Sequence, residues 1–347
     1  MVIHLTLLPY LSSSGELKTK PSQHSVRQLM ESGIQADVLV CRTEHAIPKE
    51  LRSKLAQFCN VGLENVIECI DMDTIYEVPL YLQKQNFDEV VLKELNLPVG
   101  KDVNLKDWKS FLKKFKNPKK SVEIALVGKY VSLQDSYKSI AEAFIHAGAD
   151  LETEVKVRWV YSGDIEQEGA EKLLSGVDGI LIAPGFGDRG IEGKIQAAKY
   201  ARENKVPLLG ICLGMQIMTI EFARNVLGLA KANSMEFDTS TPDPVISLME
   251  EQKNVVEKGG TMRLGAWKCV LKPGSKLAEV YGAKTISERH RHRYEFNSDY
   301  KKDFEDKGLV PTGLNPETGL VETLELKDHP FYIGVQYHPE YKSTVAT

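Results

Sequence analysis

The stretch Leu208-Leu209-Gly210-Ile211-Cys212-Leu213-Gly214-Met215-Gln216 runs an apolar strand into a cysteine between two glycines and then into a helix. This is G-x-C-x-G, the cysteine counterpart of the nucleophile elbow. The turn from strand to helix is so tight there that glycine is needed two residues either side. It lifts the side chain to the carboxyl edge of a sheet, with the sulfur at a helix N-terminus. A helix dipole and free N–H groups favour thiolate, the reactive form of a cysteine. A lone cysteine is more often a buried small hydrophobe. The paired glycines reverse that expectation for Cys212.

Around the elbow, strand and helix alternate. Strands are expected at Val122 to Val127, Val155 to Val160, Gly179 to Ala183 and Pro207 to Ile211. Helices are expected at Ser136 to His146, about Gly169 to Leu174, Gly193 to Glu203, and from Leu213. That order means a parallel sheet with helices on both faces. From Thr261 onward short β-like runs dominate and end in Phe331 to Tyr337. Nearer the start, Val2 to Leu8 and Asp37 to Val40 read as strands, and a polar loop from Lys18 to Gln23 precedes a helix to about Ser32. Pro48 opens another helix with Leu51, Leu55, Phe58 and Cys59 on one face. The fold class is α/β in two domains, each with a mostly parallel sheet flanked by helices. Residues 1–108 form the first, 109–120 a basic linker closing in Asn117-Pro118-Lys119-Lys120, and 121–347 the second.

The bulk numbers fit that division. A chain of 347 residues exceeds one average domain. A net charge of -4 without long like-charge blocks argues against nucleic acid as the main partner. Five widely spaced cysteines with no C-x-x-C pair suggest neither a disulfide framework nor a zinc site. A reducing cytoplasm fits best. No apolar run approaches the roughly 18 residues of a membrane span.

A thiolate nucleophile wants an imidazole, and the imidazole wants an orienting acceptor. Gln336-Tyr337-His338-Pro339-Glu340 supplies both, since at strand spacing His338 and Glu340 share a face. Ala183-Pro184-Gly185-Phe186-Gly187-Asp188-Arg189-Gly190 follows the preceding strand. Gly185 and Gly187 leave backbone N–H groups uncovered, as an oxyanion hole requires together with the N–H of Leu213.

These three motifs, in this order, resemble the class I (triad) glutamine amidotransferase family, with a flavodoxin-like domain that cleaves the amide of glutamine and passes ammonia to a partner domain. The acceptor is read elsewhere. Gly15 to Val26, Gly259-Gly260-Thr261-Met262-Arg263-Leu264-Gly265 and Glu288 to Glu295 resemble the CTP synthase family, over essentially the whole chain. That resemblance implies amination of UTP at C4 with ATP and magnesium, in a homotetramer. It implies that Gly185, Leu213, Gly214, Met215, Gln216, Glu236 and Arg293 hold glutamine. Lys18, Thr19, Lys20, Pro21, Ser22, Gln23 and Lys54 would hold UTP, or CTP as feedback inhibitor, and Met72 would meet ATP. Gly260, Thr261 and Arg263 would belong to the loop through which GTP activates glutaminase. An arginine for a carboxylate and a glutamate for an ammonium suit an amino acid, and lysines suit a triphosphate. Read alone, Lys54 is a lysine snorkelling at the rim of its helix.

The Gly260 to Gly265 spacing is not a P-loop, because Ala266 and Trp267 stand where Lys and Ser/Thr are needed. In Arg289-His290-Arg291-His292-Arg293, alternation puts arginines on one face and histidines on the other, and no metal site is expected in this segment. Against the family's pattern the chain reads as clipped at both ends, with no P-loop and a stop soon after Glu340. The expectation is that it carries out only the glutaminase half-reaction. Ala183-Pro184-Gly185 replaces a Pro-Gly-Gly pattern. Two alternatives stand beside this reading: a regulatory nucleotide-binding or filament scaffold without turnover, and an amidotransferase for another acceptor.

Overall fold

The computed structural model describes residues 1–100, 103–248 and 262–345. The chain divides into two compact units, Met1–Leu112 and Lys113–Thr347.

In the first unit three parallel strands lie in the order Ile3–Leu7, Val38–Thr43, Val66–Ile70. The central strand is covered on both sides. Leu39 and Cys41 share a core with Val26, Leu55 and Cys59, while Val38 and Val40 share another with Ile67 and Val90. A continuous apolar run is what a strand buried on both faces requires. Helix Lys20–Glu31 takes in part of the stretch expected as a loop, because Pro21 falls in the first turn, where no N–H is needed. Helix Lys49–Cys59 buries Leu55, Ala56 and Cys59, but Phe58 is 61% exposed. The buried face is centred about 100° round the helix from Phe58, which corrects its place in the stripe.

The stretch 109–120, read as a linker, is largely helical: Lys106–Lys116 is a helix that buries Phe111 and Leu112. Trp108, Phe111, Leu112 and Phe115 recur at i, i+3, i+4 and i+7 among lysines, and that apolar stripe makes the helix.

In the second unit nine strands of the described residues form one sheet. Its spatial order is Thr285–His292, Arg263–Leu271, Leu309–Leu314, Val321–Leu326, Tyr332–Val335, Leu208–Ile211, Gly179–Ile182, Lys120–Gly128, Thr153–Tyr161. The last five in that list are parallel neighbours, and the pairings from Thr285–His292 through to Tyr332–Val335 are antiparallel. Numbered along the chain, the parallel strands run 2-1-3-4-5 across the sheet, the flavodoxin-like order. Strand Gly179–Ile182 shows why both faces are covered. Ile180 and Ile182 join the core of helices Ile191–Glu203 and Leu213–Asn225, and Leu181 and Ala183 join that of Tyr137 and Ile140.

Helix Ile191–Glu203 lies against helix Ser162–Glu168, and Gly193 makes the approach possible. A Cβ on Gly193 would sit 1.8 Å from the Ser162 carbonyl oxygen. Gly193→Ala is therefore expected to destabilise the unit by about 3 kcal/mol or more through overpacking. Urea unfolding measures this, and an unchanged midpoint would contradict the contact.

Candidate active site

The carboxyl ends of three neighbouring parallel strands converge. Cys212 follows Leu208–Ile211, the Ala183 turn follows Gly179–Ile182, and Gln336 to Glu340 follow Tyr332–Val335. The Cys212 N–H donates to the Val335 carbonyl at 2.7 Å, tying the strand that ends at Cys212 to the strand that leads to His338. Cys212 sits at φ 53°, ψ -104°. A side-chain-bearing residue held there stores about 1–3 kcal/mol of strain. The neighbouring glycines permit it. A Cβ on Gly210 would lie 2.5 Å from the Met218 sulfur, and one on Gly214 would lie 2.4 Å from the Ile182 carbonyl oxygen.

His338 Nδ1 and Glu340 Oε1 are 2.8 Å apart, and both residues are buried. The pair forms differently from the strand spacing expected. The strand ends at Val335, and Glu340 lies in a 3₁₀ turn, Pro339–Lys342, that brings its carboxylate back under the ring. The His338 N–H donates to the Arg289 carbonyl at 2.8 Å, and Tyr341 stacks on the ring at 5.2 Å between centroids. Nε2 makes no hydrogen bond of normal geometry with the described residues. Burial alone would lower the His338 pKa, yet pairing with Cys212 and Glu340 outweighs it and raises it to about 10. The Cys212 sulfur also lies 3.7 Å from Gln336 Nε2 and 3.8 Å from the Arg291 carbonyl oxygen.

A cleft beside the sulfur is lined by Gly185, Phe186, Leu213, Gln216, Glu236, His292, Arg293 and Tyr294. Five residues expected to hold glutamine are therefore brought together: Gly185, Leu213, Gln216, Glu236 and Arg293. Two are not. Met215 is fully buried against Gly334, and Gly214 is packed on the Ile182 carbonyl, so both serve the core of the elbow. Leu213 opens its helix, so its N–H has no acceptor within that helix. Gly185 comes so close to it that an added Cβ would touch Leu213 Cδ2 at 3.6 Å. Gly187, the other expected oxyanion donor, instead gives its N–H to Glu236 Oε1 at 2.9 Å. Phe186, His292, Tyr294 and Gln336 were missed as site residues. Gln336 had a signal in its place two residues before His338, and the others had none.

Residues 132–347 match the family model "Glutamine amidotransferase class-I". The chain belongs to that family. In this amidotransferase residues 1–97 match a second model, "CTP synthase N-terminus". CTP synthase of Flavobacterium johnsoniae is 61% identical over 346 residues, covering 100% of this chain and 64% of that protein. CTP synthase of Caldanaerobacter subterraneus is 57% identical over 343 residues, with 99% and 64% covered. The chain thus spans somewhat under two thirds of the length of these curated relatives. A solved structure, the glutaminase domain of Trypanosoma brucei CTPS with bound acivicin, is 37% identical with a TM-score of 0.61, covering 65% of this chain and 88% of that one.

The amidotransferase's expected nucleotide residues fall in two places. Thr19 is buried and accepts from Gln23 Nε2 at 3.0 Å within the first turn of the helix, and the Ser22 hydroxyl donates to the Leu7 carbonyl at 2.9 Å, which holds the helix to its strand. Lys20 and Pro21 are exposed. Lys18 pairs with Glu16 and, with Lys54 adding, keeps that carboxyl below its usual range. Met72 is half-buried in the same unit. Gly260 and Thr261 lie outside the described residues. Arg263 does not stand in a loop: it begins strand Arg263–Leu271 and is buried. It bonds Glu322 at 2.7 Å, lies 3.9 Å from Glu295, and stacks 4.6 Å from the Trp267 ring centroid. His290 and His292 share that buried cluster. Burial, aided by the Arg263 charge, holds them neutral, with pKa values lowered to about 2 and about 3. Arg289 and Arg291 point outward, as alternation predicts.

The sign of the His338 shift predicts a pH dependence. Its folded pKa of about 10 lies above the ordinary 6.5. The stability it contributes is therefore fully present below pH 6.5, declines above it, and is lost as the pH passes about 10. NMR titration of the ring should show the high pKa, and Cys212→Ala should move it down toward the ordinary imidazole range. An unmoved pKa in that variant would mean that the sulfur is not its partner.

Proposed function

We propose that this chain hydrolyses glutamine with Cys212 as nucleophile, His338 as base and acid, and Glu340 as the carboxylate that orients the ring. The observation that carries the reading is one cleft lined by the strained Cys212 together with Glu236 and Arg293, on the sheet edge that also holds the buried His338–Glu340 pair. A cation and an anion lining one cleft complement the carboxylate and ammonium of an α-amino acid.

The Cys212 sulfur attacks the side-chain amide carbon, a C–S bond forms, and the carbonyl electrons move to oxygen. The N–H groups of Leu213 and Gly185 face that oxyanion. On collapse the C–N bond breaks, and His338 gives its proton to the leaving nitrogen, releasing ammonia. Water then attacks the thioester as His338 takes its proton, and glutamate leaves with the thiolate restored.

Within a CTP synthase the ammonia would pass to C4 of UTP at the expense of ATP, with CTP as inhibitor and GTP as activator. The match of residues 1–97 to the CTP synthase N-terminus supports that acceptor over another. Among the described residues no group of three or more His, Cys, Asp or Glu could hold a metal ion. The scaffold alternative is not favoured, because a scaffold has no use for a thiol, imidazole and carboxylate aligned at one cleft.

Glutamate release from glutamine tests the proposal. Cys212→Ala should lower turnover by at least about 10⁴-fold and Glu340→Gln by about 10²-fold to 10⁴-fold. Release that survives Cys212→Ala would sink the reading. GTP in the assay tests activation, and protection of the first unit from proteolysis by UTP tests the acceptor.

A further inference from the structure

The 183–187 turn is held from its carbonyl side by two lysines. Lys194, in the first turn of helix Ile191–Glu203, is 0% exposed, and its Nζ donates to the Ala183 carbonyl at 2.7 Å. Lys129, just past strand Lys120–Gly128, is 6% exposed and donates to the carbonyls of Phe186 at 2.7 Å and Gly187 at 2.5 Å. These contacts fall on both sides of Gly185. A trans peptide points its C=O and N–H in opposite directions, so a carbonyl fixed on one side fixes where the amide points on the other. Phe186 shows this directly: its carbonyl goes to Lys129 while the N–H of the same peptide, that of Gly187, goes to Glu236.

Two buried ammonium groups side by side are an expensive way to fill space. Burial first, and then the charge of Lys129, bring the Lys194 pKa down to about 7 against a smaller opposing effect of Cys212. Lys129 is likewise lowered, by burial first and then by Arg189. A methionine would fill the Lys194 site at similar volume without that penalty. What it would not supply is a donor to Ala183.

We propose that Lys194 and Lys129 are positioning residues that clamp the Ala183–Gly187 turn so that the Gly185 N–H meets the oxyanion formed at Cys212. The proposal rests on the glutaminase reading above. Neither lysine touches the substrate, and neither bonds the Pro184 carbonyl, whose peptide carries the Gly185 N–H; they hold the peptides on either side of it and so fix that one from its flanks. A clamp of this kind is felt when charge develops on oxygen and hardly at all when the ground-state amide binds.

The test compares wild type with Lys194→Met and Lys129→Met by three measurements. Each variant is expected to lower kcat for glutamine hydrolysis by about 10²-fold with KM nearly unchanged. Each should weaken binding of the γ-aldehyde analogue of glutamine, whose adduct with Cys212 carries an oxyanion, by a similar factor. Alkylation of Cys212 by iodoacetamide, which needs the thiolate and develops no oxyanion, should keep its wild-type rate. A folded variant with wild-type kcat overturns the proposal. So does a variant whose alkylation slows as much as its turnover, because the lysine would then act on the sulfur. If Lys194→Met does not fold, Lys129→Met decides alone. A wild-type protein that neither hydrolyses glutamine nor binds the aldehyde removes the glutaminase reading and this proposal together, an outcome distinct from a normal variant beside an active wild type.

Discussion

The site depends on one strand pairing, that of Leu208–Ile211 with Tyr332–Val335. Because the two run parallel and in register, both carboxyl ends stop at the same level, and Cys212 and His338 arrive at one edge from segments far apart in the chain. The bond from the Cys212 N–H to the Val335 carbonyl is the last rung of that ladder. Were the strands antiparallel, the residues after them would lie at opposite ends of the sheet, a separation of more than ~10 Å for strands of this length. Tyr332–Val335 is also where the sheet changes character: it pairs parallel to the nucleophile strand and antiparallel to Val321–Leu326. The flavodoxin-like half thus supplies the elbow and, through Gly185, Phe186 and Gln216, part of the cleft wall, while the antiparallel half brings His292 to it.

Polar burial around that edge is heavy and only partly hydrogen-bonded: Arg263 Nη1, His290 Nε2 and Glu322 Oε2 have no hydrogen bond among the described residues. Arg263 with Glu322 and Glu295, neutral His290 against His292 at 2.9 Å, and Gln336 reaching Gln216 at 3.3 Å fill what would otherwise be hydrocarbon. Each such group costs several kcal/mol to desolvate unless it is bonded, so the cluster contributes shape and fixed charge more than net stability. Gln216, which faces the cleft, is held through Tyr294 and Gln336.

Much of this was legible in the residues themselves. Gly210 and Gly214 announced the elbow because no side chain fits where their Cβ atoms would fall, and the apolar runs of Gly179–Ile182 and Leu208–Ile211 announced buried parallel strands. His338 and Glu340 were visible as a pair, though the 3₁₀ turn that joins them was not, since Pro339 in a strand register and Pro339 opening a turn read alike. Arg263 was placed in a loop by the resemblance alone, and only the folded chain reveals the strand it begins and the two glutamates that take it inward. Lys194 gave no signal at all. On helical periodicity it is a lysine among alanines and isoleucines, and nothing local says that Ala183, eleven residues back, presents a carbonyl to it.

The order in which the chain is made has a consequence for its chemistry. Cys212 leaves the ribosome well before His338, and at roughly 5–20 residues per second the gap of 126 residues takes about 6–25 s. Through that interval the strand that accepts the Cys212 N–H does not yet exist, the imidazole is missing, and the backbone has no partner to hold its left-handed turn. The thiol is then an ordinary cysteine in a relaxed chain. Only when strand Tyr332–Val335 docks beside Leu208–Ile211 is the Cys212 N–H taken up and the imidazole of His338 brought to the same edge, so a segment made late completes a cleft that an earlier one began.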